Sequence, residues 1–220
     1  MPSAPHLTET ELTQSHPGGI AMPGASVAVF CGSRFGLDAR FAEAARIIGA
    51  GLARRRMTLI YGGGKVGLMG VVADAAIAAG GAVSGVIPHF LKTREVMHEG
   101  VEDLRVTDSM HSRKQLMFAE ADAFLVLPGG LGTFDETFEI ITWRQLGLHD
   151  KPILIVDIAG WASMLVGAID QAIRDGFAAE TARRLFEVVP DADAVLLRLD
   201  ALRPGLDPQT PDSAETLGRL

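Results

Sequence analysis

Positive charge is scarce in this chain. Lysine and arginine total 20 against 27 aspartates and glutamates, a formal net charge of −7. That balance speaks against a general nucleic-acid or membrane-surface binder, since both need a basic face. A small anionic ligand needs only local N–H groups and one or two cations, so it stays open. Cys31 is the single cysteine, which excludes an intrachain disulfide and a cysteine-built zinc site. The six histidines have no ligand spacing, so no metal site is expected. No basic region followed by an apolar run opens the chain, and no apolar run reaches spanning length. A cytoplasmic location is the expectation. Aromatics make up only 6% of residues although 48% are hydrophobic, so the core must be built mainly of Ala, Val, Leu and Ile.

What is present is glycine, 25 residues of it, placed at particular points. Residues 1–24 read as a flexible leader and 203–220 as a flexible tail. Between them, 25–202 reads as one domain in which short apolar strands alternate with helices. Strands are expected at Ser26–Cys31, Met57–Tyr61, Ala82–Ile87, Val101–Thr107, Ala123–Leu127 and Pro152–Val156, with a short one at Val188 and Val189. Helices are expected near 38–55, 66–79, 109–120, 133–146, 160–175, 179–185 and 191–199. This alternation predicts an α/β, Rossmann-like three-layer sandwich: a parallel sheet of about six to seven strands with helices on both faces. Ligands of such sheets sit beyond the carboxyl ends of the strands. Three strands here end in glycine, at Gly32-Ser33, Gly62-Gly63-Gly64 and Pro128-Gly129-Gly130.

The run from Pro128 to Glu136 (PGGLGTFDE) combines a strand stop, glycines and a helix start. Free N–H groups there meet an anion with the positive end of the helix dipole. Gly130 and Gly132 let a phosphate approach, and Thr133 offers a hydroxyl. The alternative is a capping box, with Thr133 as cap and Glu136 reaching back. Glu136 also shares a helical line with Ile140 and Trp143, so a carboxylate tops an apolar stripe; such a group suits acid/base work or charge stabilisation. In Met110–Phe118, Arg113 and Lys114 straddle the centre of an apolar stripe of Met110, Met117, Phe118 and Ala121. Two cations there call for an anion, which a substrate phosphate, Glu136 or a structural ion-pair partner would supply.

Residues 62–67 satisfy G-x-G-x-x-G, but the next strand ends Val86-Ile87-Pro88-His89 without the acid a dinucleotide ribose requires. Lys65 precedes Val66 rather than Ser or Thr, so the P-loop pattern fails as well. A tight turn that lets a small-residue helix pack closely is the simpler account. Cys31 lacks the arginine six residues on that a phosphatase loop needs and reads as a buried small residue. Arg94 and Glu95 follow the third strand, where they would either reach a ribose or remain solvated charges.

These motifs together resemble the LOG ("lonely guy") family of cytokinin riboside 5′-monophosphate phosphoribohydrolases. The resemblance rests on Pro128–Glu136 and Met110-x-x-Arg113-Lys114. Val29–Ser33, Tyr61–Gly64, Gly67–Gly70, Gly85–Pro88, Ile141–Trp143 and Gln145–Pro152 extend it over roughly residues 26–190. It implies hydrolysis of a nucleoside 5′-monophosphate to free base and ribose 5-phosphate, with no metal or cofactor, by a homodimer or higher homo-oligomer. It assigns catalysis to Arg113 and Glu136. It assigns substrate contacts to Glu95, Lys114, Gly130, Leu131, Gly132, Thr133, Phe134, Asp135 and Thr142, with Gly129, Arg94, Ser33 and Gly64 beside them. Asp135 is a candidate to protonate the leaving base. The "lysine decarboxylase" label that some relatives carry finds no Schiff-base motif among Lys65, Lys92, Lys114 and Lys151. Arg34 and Lys65 stand where many plant members have serine, Thr93 replaces a proline, and His89 stands where a basic residue is common. These departures bear on substrate preference: AMP, an N6-substituted adenine nucleotide or a broader range of monophosphates. A non-catalytic nucleotide-binding protein is the rival class.

Overall fold

A computed structural model describes residues 24–92 and 97–203. The expected leader (save Gly24) and tail (save Arg203) lie outside these residues, as do Thr93, Arg94 and Glu95.

Among the described residues seven strands form one sheet, in which every hydrogen-bonded pair is parallel. They are β1 (Ser26–Phe30), β2 (Thr58–Tyr61), β3 (Val83–Pro88), β4 (Asp103–Thr107), β5 (Ala123–Val126), β6 (Ile153–Val156) and β7 (Glu187–Val189). The helices between them are α1 (Ala39–Arg54), α2 (Gly67–Ala78), α3 (Met110–Glu120), α4 (Leu131–Gln145), α5 (Ala162–Arg174) and α6 (Ala192–Leu202). The order across the sheet is β4-β3-β2-β1-β5-β6-β7. The chain thus winds outward from β1 to β4, then returns to the other side of β1 at β5. That reversal parts the loops after β1 and β5 and opens a crevice at their carboxyl ends.

Side chains alternate along each strand, and the five inner strands bury both faces. Val27, Val29 and Cys31 join a core with α1, α2 and α6. Ala28 and Phe30 join the opposite core with α3, α4 and α5. The scarce aromatics gather in that second core, where Phe124 stacks on Phe30 and Phe118 at 6.0 and 5.7 Å. Among the described residues no helix is long and apolar enough to cross a membrane.

Local chemistry sets the helix starts. The Asp38 carboxylate accepts from the Arg40 amide, and the Ser109 hydroxyl accepts from the Ser112 amide, capping α1 and α3. The G-x-G-x-x-G segment is a packing turn. Gly67 takes φ +65, and a Cβ on it would lie 2.2 Å from the Ser33 carbonyl carbon. The start of α2 therefore rests on the loop after β1. The helix expected at 179–185 is a 3-10 stretch, Glu180–Arg184. The last helix runs three residues further than expected, to Leu202.

Candidate active site

A cavity of about 530 Å³ opens at the carboxyl edge of β1 and β5. Its floor is the turn after each strand. The Gly32 amide donates to the Pro128 carbonyl at 3.0 Å, which binds the two turns together.

The start of α4 forms one wall. The helix begins at Leu131, two residues before the expected position, with the extended Gly130 as its N-cap and no side chain capping it. The first intrahelical bond runs from the Phe134 amide to the Gly130 carbonyl at 3.0 Å. Thr133 is therefore inside the helix, and the capping box weighed as the alternative does not form. The amides of Leu131, Gly132 and Thr133 precede that first bond, where a helix carries its uncompensated donors and about half a positive charge. A Cβ on Gly130 or Gly132 would meet nothing within 4 Å, so both face open space. Gly129 differs, because a Cβ there would fall 2.0 Å from the Thr133 hydroxyl.

α3 and α4 flank β5, and the first turn of α3 and the second of α4 bring Arg113 and Glu136 together. Arg113 Nη1 lies 3.4 Å from Glu136 Oε1, and each side chain is 8% exposed. Arg113 Nε donates to the Val86 carbonyl of β3 at 3.1 Å. Gly62 makes room for this: a Cβ there would fall 2.1 Å from Arg113 Nη2. Both members of the pair line the cavity. Cys31 lines it too, but burial, reinforced by the Glu136 carboxylate, pushes its thiol pKa far up, with Arg113 opposing. It is a neutral thiol, not a nucleophile.

Ser33, Gly129, Gly130, Leu131, Gly132 and Thr133 share the lining with the charged pair. Lys114 does not. Its Nζ sits 3.1 Å from Asp135 and 3.0 Å from Glu139. Burial pulls its pKa down, but the hydrogen bonds to Glu139 and Asp135 outweigh that and leave it raised. Asp135 is thereby turned to α3 rather than toward a leaving base. Phe134 stacks on Trp161 at 5.6 Å. Thr142 is exposed and its hydroxyl donates to the Phe138 carbonyl at 2.7 Å, well down α4 from the cavity. Gly64 bridges Met97 instead of facing the cavity. Arg94 and Glu95 lie outside the described residues.

The apolar wall consists of Phe35, Phe41, Leu68, Met69 and Trp161; Leu68 and Met69 belong to the Gly67–Gly70 motif, but none of the five is among the expected substrate contacts. Trp161 had one legible signal, its place just beyond the carboxyl end of a buried strand. Its indole N–H donates to the Gly129 carbonyl at 3.2 Å, fixing the glycine turn.

The fold and cavity define a doubly wound α/β protein with an anion-accepting helix start at its switch point and a buried ion pair beside it. Comparison with known proteins narrows this. A family model described as "possible lysine decarboxylase" matches residues 69–199. The cytokinin riboside 5′-monophosphate phosphoribohydrolase LOG7 of Arabidopsis thaliana is 42% identical over 181 residues, 82% of this chain and 83% of that protein. The corresponding LOG protein of Oryza sativa subsp. japonica is 43% identical over 178 residues, 81% and 74% of the two chains. The chain belongs to the LOG family of cytokinin riboside 5′-monophosphate phosphoribohydrolases. Solved structures share the fold alone. The molybdenum cofactor binding protein from Rippkaea orientalis matches with TM-score 0.63 at 16% identity, covering 83% of this chain and 99% of that one. The Moco carrier protein from Chlamydomonas reinhardtii matches with TM-score 0.62 at 18% identity, covering 81% and 97%. As for the family model's description, none of the four lysines lines the cavity.

Proposed function

We propose that this protein hydrolyses the N-glycosidic bond of a nucleoside 5′-monophosphate, releasing the base and ribose 5-phosphate. The observation that carries this reading is that one cavity holds both the uncapped start of α4 and the buried Arg113–Glu136 pair. The phosphate binds the amides of Leu131 to Thr133 and the Thr133 hydroxyl. That places the sugar beside Glu136. As the glycosidic bond breaks, positive charge builds on the ribose, and the Glu136 carboxylate stabilises it and orients the attacking water. Arg113 is not an acid, because guanidinium keeps its proton in proteins. It holds Glu136 in place and contacts the ribose. Water adds to the anomeric carbon, and the base leaves with the bonding electron pair and a proton.

The apolar wall of Phe35, Phe41, Leu68, Met69 and Trp161 suits an adenine and an alkyl group on its N6. AMP and N6-substituted adenosine monophosphates are the substrates of this reading. The protein acts in the cytoplasm as a homodimer or higher homo-oligomer, with no nucleic-acid or membrane partner.

The test is release of free base from a panel of AMP, N6-isopentenyl-AMP, GMP, IMP, CMP and UMP, with adenosine and ATP as controls. Base from the two adenine monophosphates, at rates well above the controls, is the expected outcome. A panel that yields no base from any monophosphate removes the hydrolytic assignment.

A further inference from the structure

Among the described residues two cations, Arg113 and Arg34, line the cavity, and they differ in what they have left to give. Arg113 is committed to the Glu136 carboxylate and to the Val86 carbonyl. As a pair, Arg113 and Glu136 bring no net charge to a ligand. Lys114, the other cation near the start of α4, is held by two carboxylates outside the lining. Arg34 has neither constraint: its side chain is exposed at the cavity, and among the described residues no carboxylate pairs with it.

Its backbone, in contrast, is fixed. A Cβ on Gly67 would lie 2.3 Å from the Arg34 amide nitrogen, so α2 presses on the loop from one side. A Cβ on Gly32 would lie 3.1 Å from the Arg34 carbonyl oxygen and 3.2 Å from the Gly129 Cα, so the glycine turn after β5 lies against the other. The loop that carries Arg34 and the turn that leads into α4 are thus packed together at one end of the cavity. A phosphate dianion bound at α4 meets helix amides worth about half a charge. A full counter-charge nearby would add to that attraction.

We propose that Arg34 is that counter-charge: it recognises the 5′-phosphate and selects monophosphates over uncharged nucleosides. This rests on the hydrolytic reading above and adds to it which residue reads the phosphate. A guanidinium suits the task because its planar donors pair with two phosphate oxygens at once. The assignment separates labour in the cavity, with Arg34 binding the phosphate and Arg113 working with Glu136 at the sugar.

The experiment compares Arg34→Ser and Arg34→Lys with the parent chain. Arg40→Ser serves as control, since Arg40 is exposed, bound to Asp38 and outside the lining. Three quantities are measured: KM and kcat for adenine release from AMP, the AMP-to-adenosine ratio of kcat/KM, and calorimetric affinity for AMP and inorganic phosphate. Arg34→Ser is expected to raise KM for AMP by about tenfold or more, with a smaller change in kcat, as loss of uniform binding does. The preference for AMP over adenosine falls by a similar factor, Arg34→Lys recovers part of it, and Arg40→Ser matches the parent. An Arg34→Ser protein with AMP KM, phosphate affinity and AMP preference within twofold of the parent overturns the assignment. Hydrolysis fails separately. If no variant releases base, but AMP affinity still drops in Arg34→Ser alone, Arg34 keeps its role and the reaction is what is wrong.

Discussion

The guanidinium of Arg113 and the carboxylate of Glu136 meet at 3.4 Å between two different helices, almost wholly out of water. Taking two charges out of water costs several kcal/mol per ion before attraction offsets it. Here Val86 shares the load by accepting from Arg113 Nε. A pair kept under those terms and facing a cavity points to chemistry more than to stability. Glu136→Gln, which keeps the shape and removes the charge, is expected to lower kcat for adenine release from AMP by about 100-fold or more. Its melting temperature is expected to fall as well, because the buried Arg113 guanidinium loses its counter-charge, so kcat is compared where both proteins are folded. A Glu136→Gln protein with near-parental kcat would remove the carboxylate from the reaction.

Arg113→Ala goes further, because Glu136 loses its guanidinium partner inside the protein. Breaking a buried pair from one side costs about 3–5 kcal/mol. Urea unfolding is expected to show that loss together with a fall in turnover like that of Glu136→Gln. Restoring the midpoint with Arg113→Met/Glu136→Gln, while activity stays absent, would separate the stability cost from the catalytic one.

Gly62→Ala tests geometry alone. The added methyl would sit 2.1 Å from Arg113 Nη2, so the guanidinium must move. A displacement of about 1 Å at a reacting centre costs on the order of 100-fold in rate. The expected result is a folded protein with kcat reduced to that degree. Activity within threefold of the parent would mean that the guanidinium's position is not critical.

Trp161→Phe removes the donor to the Gly129 carbonyl while keeping an aromatic ring against Phe134. One hydrogen bond of about 0.5–1.5 kcal/mol is at stake. KM for AMP is expected to rise by about three- to tenfold as the glycine turn loosens. Trp161→Ala should cost more, since the ring contact also goes. Equal KM in all three proteins would show that the turn holds itself.

His149 links stability to pH. It is half-buried against Phe118 and Phe124, with Nε2 donating to the Ile140 carbonyl at 2.9 Å. Burial lowers its pKa below the ordinary 6.5. The unfolded chain therefore takes up the proton first. Stability from this group is full above pH 6.5 and declines as pH falls toward the depressed folded value, the sign linkage requires. Urea midpoints at about pH 7.5 and about pH 5 should differ less in His149→Gln than in the parent. An identical pH dependence in the two proteins would rule the histidine out as its source.

Much of this was legible in the residue order. Apolar runs such as Ala123–Val126 and Ile153–Val156 have one reading once helices flank them, and the sheet follows. That Arg113 needs an anion was legible because a charge centred on an apolar stripe must find a partner, and Glu136 was one of the candidates beside a substrate phosphate and a structural ion-pair partner. Boundaries were harder. Thr133 and Glu136 carry the spacing of a capping box, and only the extended backbone at Gly130 puts the helix start two residues earlier. Lys114 offered the same local signal as Arg113, yet it faces Asp135 and Glu139. One residue along a helix turns a side chain by 100°, and the neighbouring helix decides what it meets. The apolar wall was not legible, because Phe41, Met69 and Trp161 come from three distant segments that only the tertiary fold assembles.

The strand order has an evolutionary corollary. Arg113 and Glu136 sit on long helices wedged against the sheet, whereas Ser33 to Leu37 form an exposed run that follows β1. Changes in that run over evolution can therefore alter contacts at the cavity mouth while the ion pair stays in place.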